Sequence, residues 1–202
     1  RLRPAGRVGR RRSEDALDEQ VRALLLVVDV QEAFRPHIEG WDAMVAHCDA
    51  LIKGCVALDV PIIVTEQYPK GLGHTIEELA EGLAGVTPIE KRSFSSLGVP
   101  ETLDQLEQFG RDQIIVCGIE AHVCVQQSVA DILRGGRQAH VALDAIASRT
   151  SSSREVGVRR MRAAGMVPSG VELALFEMMV GADHPQFKTI SGLVRDLPQS
   201  FF

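Results

Sequence analysis

The sequence has 202 residues, of which 45% are hydrophobic, 24% charged and 4% aromatic, with a formal net charge of −5. That length suits one domain with a sizeable core, and the mix is that of an ordinary water-soluble globular chain. So few rings and a negative charge argue against a nucleic-acid partner, and no run of eighteen apolar residues offers a membrane span.

Residues 1–20 begin with Arg1, Arg3, Arg7, Arg10, Arg11 and Arg12 and continue with Glu14, Asp15, Asp18 and Glu19. Such a charge run reads as a solvated, disordered leader ahead of a domain over 21–202. The acidic cluster speaks against a transit peptide, so a cytoplasmic location is expected. A mitochondrial one follows if the arginines are a targeting remnant.

The apolar run at 22–28, ending at Asp29, suits a strand buried on both faces. A helical pattern covers 41–59 and a β-branched strand follows at 60–65. Glu77 to Leu83 reads as a short helix and 86–91 as a weak strand, with Pro88 disfavouring a central place in the sheet. The stretch 100–110 opens on Pro and closes on Gly, a helix signature. A clean strand at 113–118 leads into a helix over 121–136. Strands at 140–145 and 166–168 alternate with helices at 153–164, 172–180 and 186–197. Strands alternating with helices predict a three-layer α/β/α sandwich around a mostly parallel, six-stranded, Rossmann-like sheet.

The four cysteines, Cys48, Cys55, Cys117 and Cys124, form no disulfide framework and contain no CxxC pair. Cys48 and Cys55 are seven apart on one helix, about two turns, and read as buried small hydrophobes. Cys117 lies inside a strand and reads the same way.

In open parallel sheets the site lies beyond the carboxyl ends of the strands. Reactive residues at those ends are Asp29, Gln67 and Tyr68, Lys91, the segment from Glu120 to Cys124, and Asp144. Cys124 sits about one turn into a helix, where amide groups favour a thiolate and lower its pKa. Asp29 is a candidate to accept the thiol proton and Lys91 to support the charge. The plain alternatives stand beside these: a buried helix cysteine, an aspartate capping a turn, and an exposed lysine at a strand end. Asp144 reads as a local cap. Gln31, Phe34, Tyr68, Phe94 and His122 are candidates for the wall of a pocket for a small substrate, against ordinary loop packing.

The stretches LLLVVDVQEAF (24–34), IEKRSF (89–94) and GIEAHVCVQQSVADILRGG (118–136) resemble the isochorismatase-like cysteine hydrolases. The resemblance spans roughly residues 20–195. It implies a triad of Asp29, Lys91 and Cys124, an oxyanion hole from the backbone N–H groups of Glu120 and Cys124, and a cis Ile119–Glu120 peptide. It also implies an acyl-enzyme formed after expulsion of ammonia or an amine, no cofactor, and a homo-oligomer. Nicotinamidases of this superfamily carry an Asp and two His after the second strand. Here TEQYPKGLGHT (65–75) offers only Glu66 and His74, so no metal is expected. Cys124 disfavours the vinyl-ether hydrolysis of isochorismatase proper, which lacks that residue. The segments TEQYPKGLGHT and EAHVCV look most like the isochorismatase domain-containing branch, a match that brings no substrate with it. The expectation is therefore a cysteine hydrolase acting on a small amide. Ester or thioester cleavage, or a catalytically silent binding protein of the same fold, stays open.

Overall fold

A computed structural model describes residues 22–199. The leader expected over 1–20 lies outside them. All six residues of strand β1 (Ala23–Val28) are fully buried. Ala23, Leu25 and Val27 enter one core, and Leu24, Leu26 and Val28 enter the other. A strand covered on both faces has no use for a polar alternation, which is why its sequence is a continuous apolar run.

The other strands are β2 (Ile62–Gln67), β3 (Ile89–Lys91), β4 (Gln113–Ile119), β5 (Gln138–Ala147) and β6 (Val167–Ser169). They form one sheet in the order β3-β2-β1-β4-β5-β6, every pairing parallel. The helices are α1 (Trp41–Ala57), α2 (Pro69–Leu72), α3 (Pro100–Phe109), α4 (Gln126–Arg134), α5 (Ser151–Ala163), α6 (Val171–Met179) and α7 (Phe187–Arg195). One core joins the sheet to α1, α6 and α7 through Leu51, Ile52, Leu175, Met178 and Ile190. The other joins it to α3, α4 and α5 through Leu106, Val129, Ile132 and Met161. This is the three-layer sandwich the alternation of elements predicts.

Most elements fall within two residues of their expected bounds, and the departures have physical causes. The expected strand at 60–65 runs two residues further, because its polar end finds partners inside the fold. Glu66 accepts the Thr75 N–H at 2.7 Å and the Thr75 hydroxyl at 2.8 Å, and meets His74 Nδ1 at 3.0 Å. The expected helix over Glu77–Leu83 is only a 3-10 turn at Glu77–Leu79. With Gly82 and Gly85 just beyond, there are too few helix-forming residues to extend a nucleus. The weak strand shrinks to three residues at the sheet edge, where Pro88 just before it is tolerated. Strand β5 is longer than 140–145 because it carries a bulge: Val116 pairs with Val141 but Gly118 with Ile146. Arg154 closes that bulge by donating to the Leu143 and Ile146 carbonyls. Asp144, at the same place, accepts the Val171 N–H at 3.0 Å and caps α6. No described helix is long and apolar enough to cross a membrane.

Candidate active site

Successive strands run outward from β1 through β2 to β3 on one side, and from β4 through β5 to β6 on the other. The crevice where that order reverses lies at the carboxyl ends of β1 and β4. The two strands are paired directly there. A Cβ on Gly118, whose φ is +108°, would sit 2.1 Å from the Val28 carbonyl oxygen, so only glycine fits.

Asp29 is the first residue past β1. Its φ of 52° lies in the left-handed region, which aspartate tolerates better than most residues, and it turns the chain sharply out of the strand. Its N–H donates to the Thr65 carbonyl at 3.1 Å, which ties this turn to β2. The carboxylate is buried. Lys91 Nζ donates to Oδ2 at 2.7 Å and the Thr65 hydroxyl donates to Oδ1 at 2.8 Å.

Lys91 ends β3, and its side chain is entirely enclosed. Besides Asp29, its ammonium donates to Gln67 Oε1 at 2.7 Å and to the carbonyls of Phe94 at 3.0 Å and Ser93 at 3.2 Å. So many acceptors around three N–H bonds fix the charge in place.

Cys124 belongs to the turn after β4. The helix expected over 121–136 opens as a π-turn at Ala121–Val125, and α4 begins only afterwards. The Ile119–Glu120 peptide is cis. The Glu120 carbonyl accepts the N–H groups of Val123 at 2.9 Å and Val125 at 3.2 Å, which tightens the turn under the cysteine. Cys124 is 7% exposed, and the charges of both Asp29 and Lys91 act on its thiol.

The ionisation of this cluster differs from the sequence expectation. Burial pushes the Cys124 thiol up to about 12, the Asp29 charge pushes the same way, and Lys91 offsets only part. The expected lowering by a helix start does not prevail, because the thiol is enclosed and faces a carboxylate. Burial also raises Asp29 above the ordinary carboxylate value, against the opposing pull of Lys91, Thr65 and Cys124. The Cys124 thiol is therefore held protonated beside the buried pair in which Lys91 Nζ meets Asp29 Oδ2.

The remaining candidate residues are dispersed. Gln31 is fully buried, and its amide is committed to the neighbouring loop. It donates to the Gln67 carbonyl at 3.0 Å and the Gly73 carbonyl at 2.6 Å, and accepts the Gln67 N–H at 2.7 Å. Phe34 lines a 470 Å³ cavity with Leu72, His37, Glu120 and Arg149. Tyr68 borders a different one of 420 Å³ beside Lys91, Arg92 and Glu90, with the Arg92 guanidinium 3.6 Å from its ring centre. Phe94 is 53% exposed. The three aromatics thus do not form one continuous rim. His122 meets Ser148 Oγ at 3.1 Å and faces the start of α5. The Glu120 carboxylate does not stand free beside the cysteine. It accepts the Arg149 N–H at 3.0 Å and its guanidinium at 2.7 and 3.1 Å, which bridges the ends of β4 and β5. Burial opposes ionisation of Glu120, yet the Arg149 hydrogen bonds hold its carboxyl below the ordinary value.

Thr65 stands outside the residues that the sequence marks as candidates, and Gln67 stands among them only as a strand-end residue. Both bond directly to the charged pair. A hydroxyl or amide at the last inward-facing position of a strand, beside a candidate acid, was the available signal. Among the described residues no group of three His, Cys, Asp or Glu lies close enough to hold a metal ion.

Comparison with known proteins agrees with this architecture. The isochorismatase domain model matches residues 23–172, from β1 into α6. Isochorismatase domain-containing protein 2A of Mus musculus is 38% identical over 177 residues, covering 86% of this chain and 83% of its own. Isochorismatase family protein 1A of Dictyostelium discoideum is 38% identical over 178 residues, covering 86% of each chain. The solved structure of MAR1 ribonuclease from Caenorhabditis elegans has a TM-score of 0.86 at 39% identity, covering 91% of this chain and 95% of that one. With a family model spanning most of the sheet and relatives covering most of both lengths, the chain belongs to the isochorismatase family.

Proposed function

We propose that this chain is a cysteine hydrolase that cleaves a small amide, with Cys124 as nucleophile, Asp29 as base and Lys91 as electrostatic support. The observation that supports the reading is the buried Lys91–Asp29 pair, 2.7 Å apart, whose two charges both act on the enclosed Cys124 thiol. Family membership supports a hydrolase, and the reading adds the residues and the bond.

As the sulfur attacks the carbonyl carbon, its proton passes to Asp29, so no free thiolate has to exist beforehand. Lys91 offsets the negative charge as it moves from carboxylate to substrate. The backbone N–H groups of Glu120 and Cys124 receive the oxyanion. Asp29 then gives its proton to the departing nitrogen, the C–N bond breaks, and a thioester remains on Cys124. A water deprotonated by Asp29 adds to the thioester, and its collapse returns the proton to sulfur and releases the acid. The Asp29 carboxyl value, raised above the ordinary range, suits a group that must both take and return a proton. The steps balance without a cofactor. Phe34, beside the cavity that Glu120 lines, or Tyr68, beside the one that Lys91 lines, is proposed to border the approach of the substrate, and Gln31 to hold the loop at Gln67 and Gly73.

An RNA substrate is a second reading, suggested by the name of the Caenorhabditis elegans protein and by the arginines on α5. Two of the four arginines on that helix are committed, Arg154 to carbonyls and Arg159 to Glu155. The net charge of −5 also disfavours a polyanion.

The test is a turnover screen of small primary amides, ureido acids, esters and an RNA oligonucleotide, run beside Cys124→Ala. Amide turnover that falls at least about a thousandfold in the variant, with an acyl mass trapped on Cys124 in the parent, is the expected result. Turnover that survives Cys124→Ala removes the nucleophile from this reading. RNA cleavage that depends on Cys124, without amide turnover, replaces the substrate.

A further inference from the structure

Three hydroxyls outside the proposed triad form a chain between its acid and its nucleophile. Thr65 on β2 lies beside Asp29, Ser96 lies in the 3-10 turn Ser96–Gly98 after β3, and Ser128 lies on α4 one turn beyond Cys124. All three are fully buried. The Thr65 hydroxyl donates to Asp29 Oδ1 at 2.8 Å and lies 3.2 Å from Ser96 Oγ. The Ser96 N–H donates to Ser128 Oγ at 2.8 Å, and the Ser128 hydroxyl donates to the Cys124 carbonyl at 2.7 Å.

The hydrogen count fixes the direction of every link. A hydroxyl has one proton to give. Thr65 gives its proton to the carboxylate, so at the Thr65–Ser96 contact Thr65 must accept and Ser96 must donate. Ser128 gives its proton to the Cys124 carbonyl, so toward Ser96 it can only accept, as it does. The chain Ser96 to Thr65 to Asp29 therefore points all its protons at the carboxylate. The Thr65 donor is polarised by Ser96 behind it, and both hydroxyls are buried. The same serine, through its backbone N–H, anchors the residue that holds the cysteine turn.

We propose that Thr65, Ser96 and Ser128 are positioning residues: Ser96 and Thr65 form a one-way hydroxyl relay that keeps Asp29 an acceptor toward Cys124, and Ser128, held by the Ser96 N–H, ties the Cys124 turn to the loop after β3. Its consequence is a division of labour on the carboxylate. Oδ1 belongs to Thr65 and Oδ2 to Lys91, so the carboxylate cannot rotate away from the thiol. The charged or titratable groups facing Asp29 are Lys91 from β3 and Cys124 from the turn after β4. The relay sets how readily Asp29 stays ionised between them. This inference rests on the reading of Cys124 as nucleophile and Asp29 as its base.

The test is the pH dependence of iodoacetamide alkylation of Cys124, followed by mass spectrometry on the full chain. The parent and the variants Thr65→Val, Thr65→Ser and Ser96→Ala are compared. Because Asp29 must be ionised to take the thiol proton, the rate falls on its acid limb as Asp29 is protonated. Thr65→Val keeps the shape and removes the donor, so its acid limb moves up by about one pH unit, the scale of one hydrogen bond to a charged acceptor. Ser96→Ala leaves the Thr65–Asp29 bond intact and moves the limb the same way by about a third of that. Thr65→Ser restores the parent limb. An unmoved limb in both Thr65→Val and Ser96→Ala overturns the relay, as does an unmoved Ser96→Ala should Thr65→Val fail to fold. A Thr65→Ser limb displaced as far as that of Thr65→Val also overturns it, because packing of the methyl group would then carry the effect. Failure of the parent to label at Cys124 in preference to Cys48, Cys55 and Cys117 is a different result and overturns the nucleophile reading itself.

Discussion

The Lys91 side chain has no exposed surface, and its ammonium is shared among Asp29, Gln67 and two backbone carbonyls. Removing one member of a buried pair leaves the other as an uncompensated charge, which typically costs about 3–5 kcal/mol. The pH dependence of that cost follows from Asp29. Its folded value is raised by burial, with Lys91 the largest opposing influence. A raised group contributes stability that is present below the unfolded carboxylate value of about 4 and is lost as pH rises through the folded value. Lys91→Met raises Asp29 further and widens that window upward. The urea midpoint of Lys91→Met should therefore fall further below the parent at pH 7 than at pH 5. An equal deficit at both pH values would mean that Asp29 is not the stranded group. Asp29, Lys91 and Cys124 were legible as candidates because charged or thiol side chains are conspicuous at the ends of apolar strands. Their ionisation was not legible, since it depends on enclosure and on a charge contributed from another strand. Gln31 was read as pocket wall for the same reason: the sequence places it near the site but cannot tell that its amide is already committed to Gln67 and Gly73.

At the scale of elements, two close approaches set the shape of the crevice. One is Gly118 against Val28. The other is Gly157 on α5, where a Cβ would meet the Ala121 carbonyl oxygen at 2.6 Å, so α5 presses directly on the turn that carries Cys124. Gly118→Ala combines an unfavourable φ with a backbone overlap that no side-chain movement can relieve. A cost of about 3 kcal/mol or more is expected, a fall in Tm on the order of 6–12 °C for a chain of this size. Retention of the parent Tm in a calorimetric scan would show that β1 and β4 can part without cost. The order of strands and helices was legible because hydrophobic period and glycine or proline punctuation are local signals. The π-turn at Ala121–Val125 and the bulge between Val141 and Ile146 were not. Both arise where the strand or turn meets a residue of α5, Arg154 at the bulge and Gly157 at the π-turn.

Across the whole molecule the sheet is strongest at its middle, while one proposed catalytic residue sits at its edge. β1 and β4 are buried on both faces and paired on both sides, whereas β3 and β6 are three-residue edge strands. Amide protons of 23–28 and 113–119 should therefore exchange only on global unfolding, and those of 89–91 and 167–169 by local opening. The two edges are not equivalent. β6 is followed closely by α6, whose first N–H is capped by Asp144. β3 leads into a loop whose Ser93 and Phe94 carbonyls are gathered onto the Lys91 ammonium. The lysine proposed to support catalysis is thus also what folds the segment after β3 back over the site. Hydrogen-exchange mass spectrometry of Lys91→Met, under conditions where local opening dominates, should show faster exchange across 89–98 with 167–169 at the parent rate. Equal acceleration at both edges would indicate a uniform loss of stability and would separate Lys91 from the ordering of that loop. The coupling makes physical sense of an otherwise unfavourable placement. A buried ammonium at a sheet edge is held only while carboxylate, amide and carbonyls all close on it, so the pair is complete only when the site is.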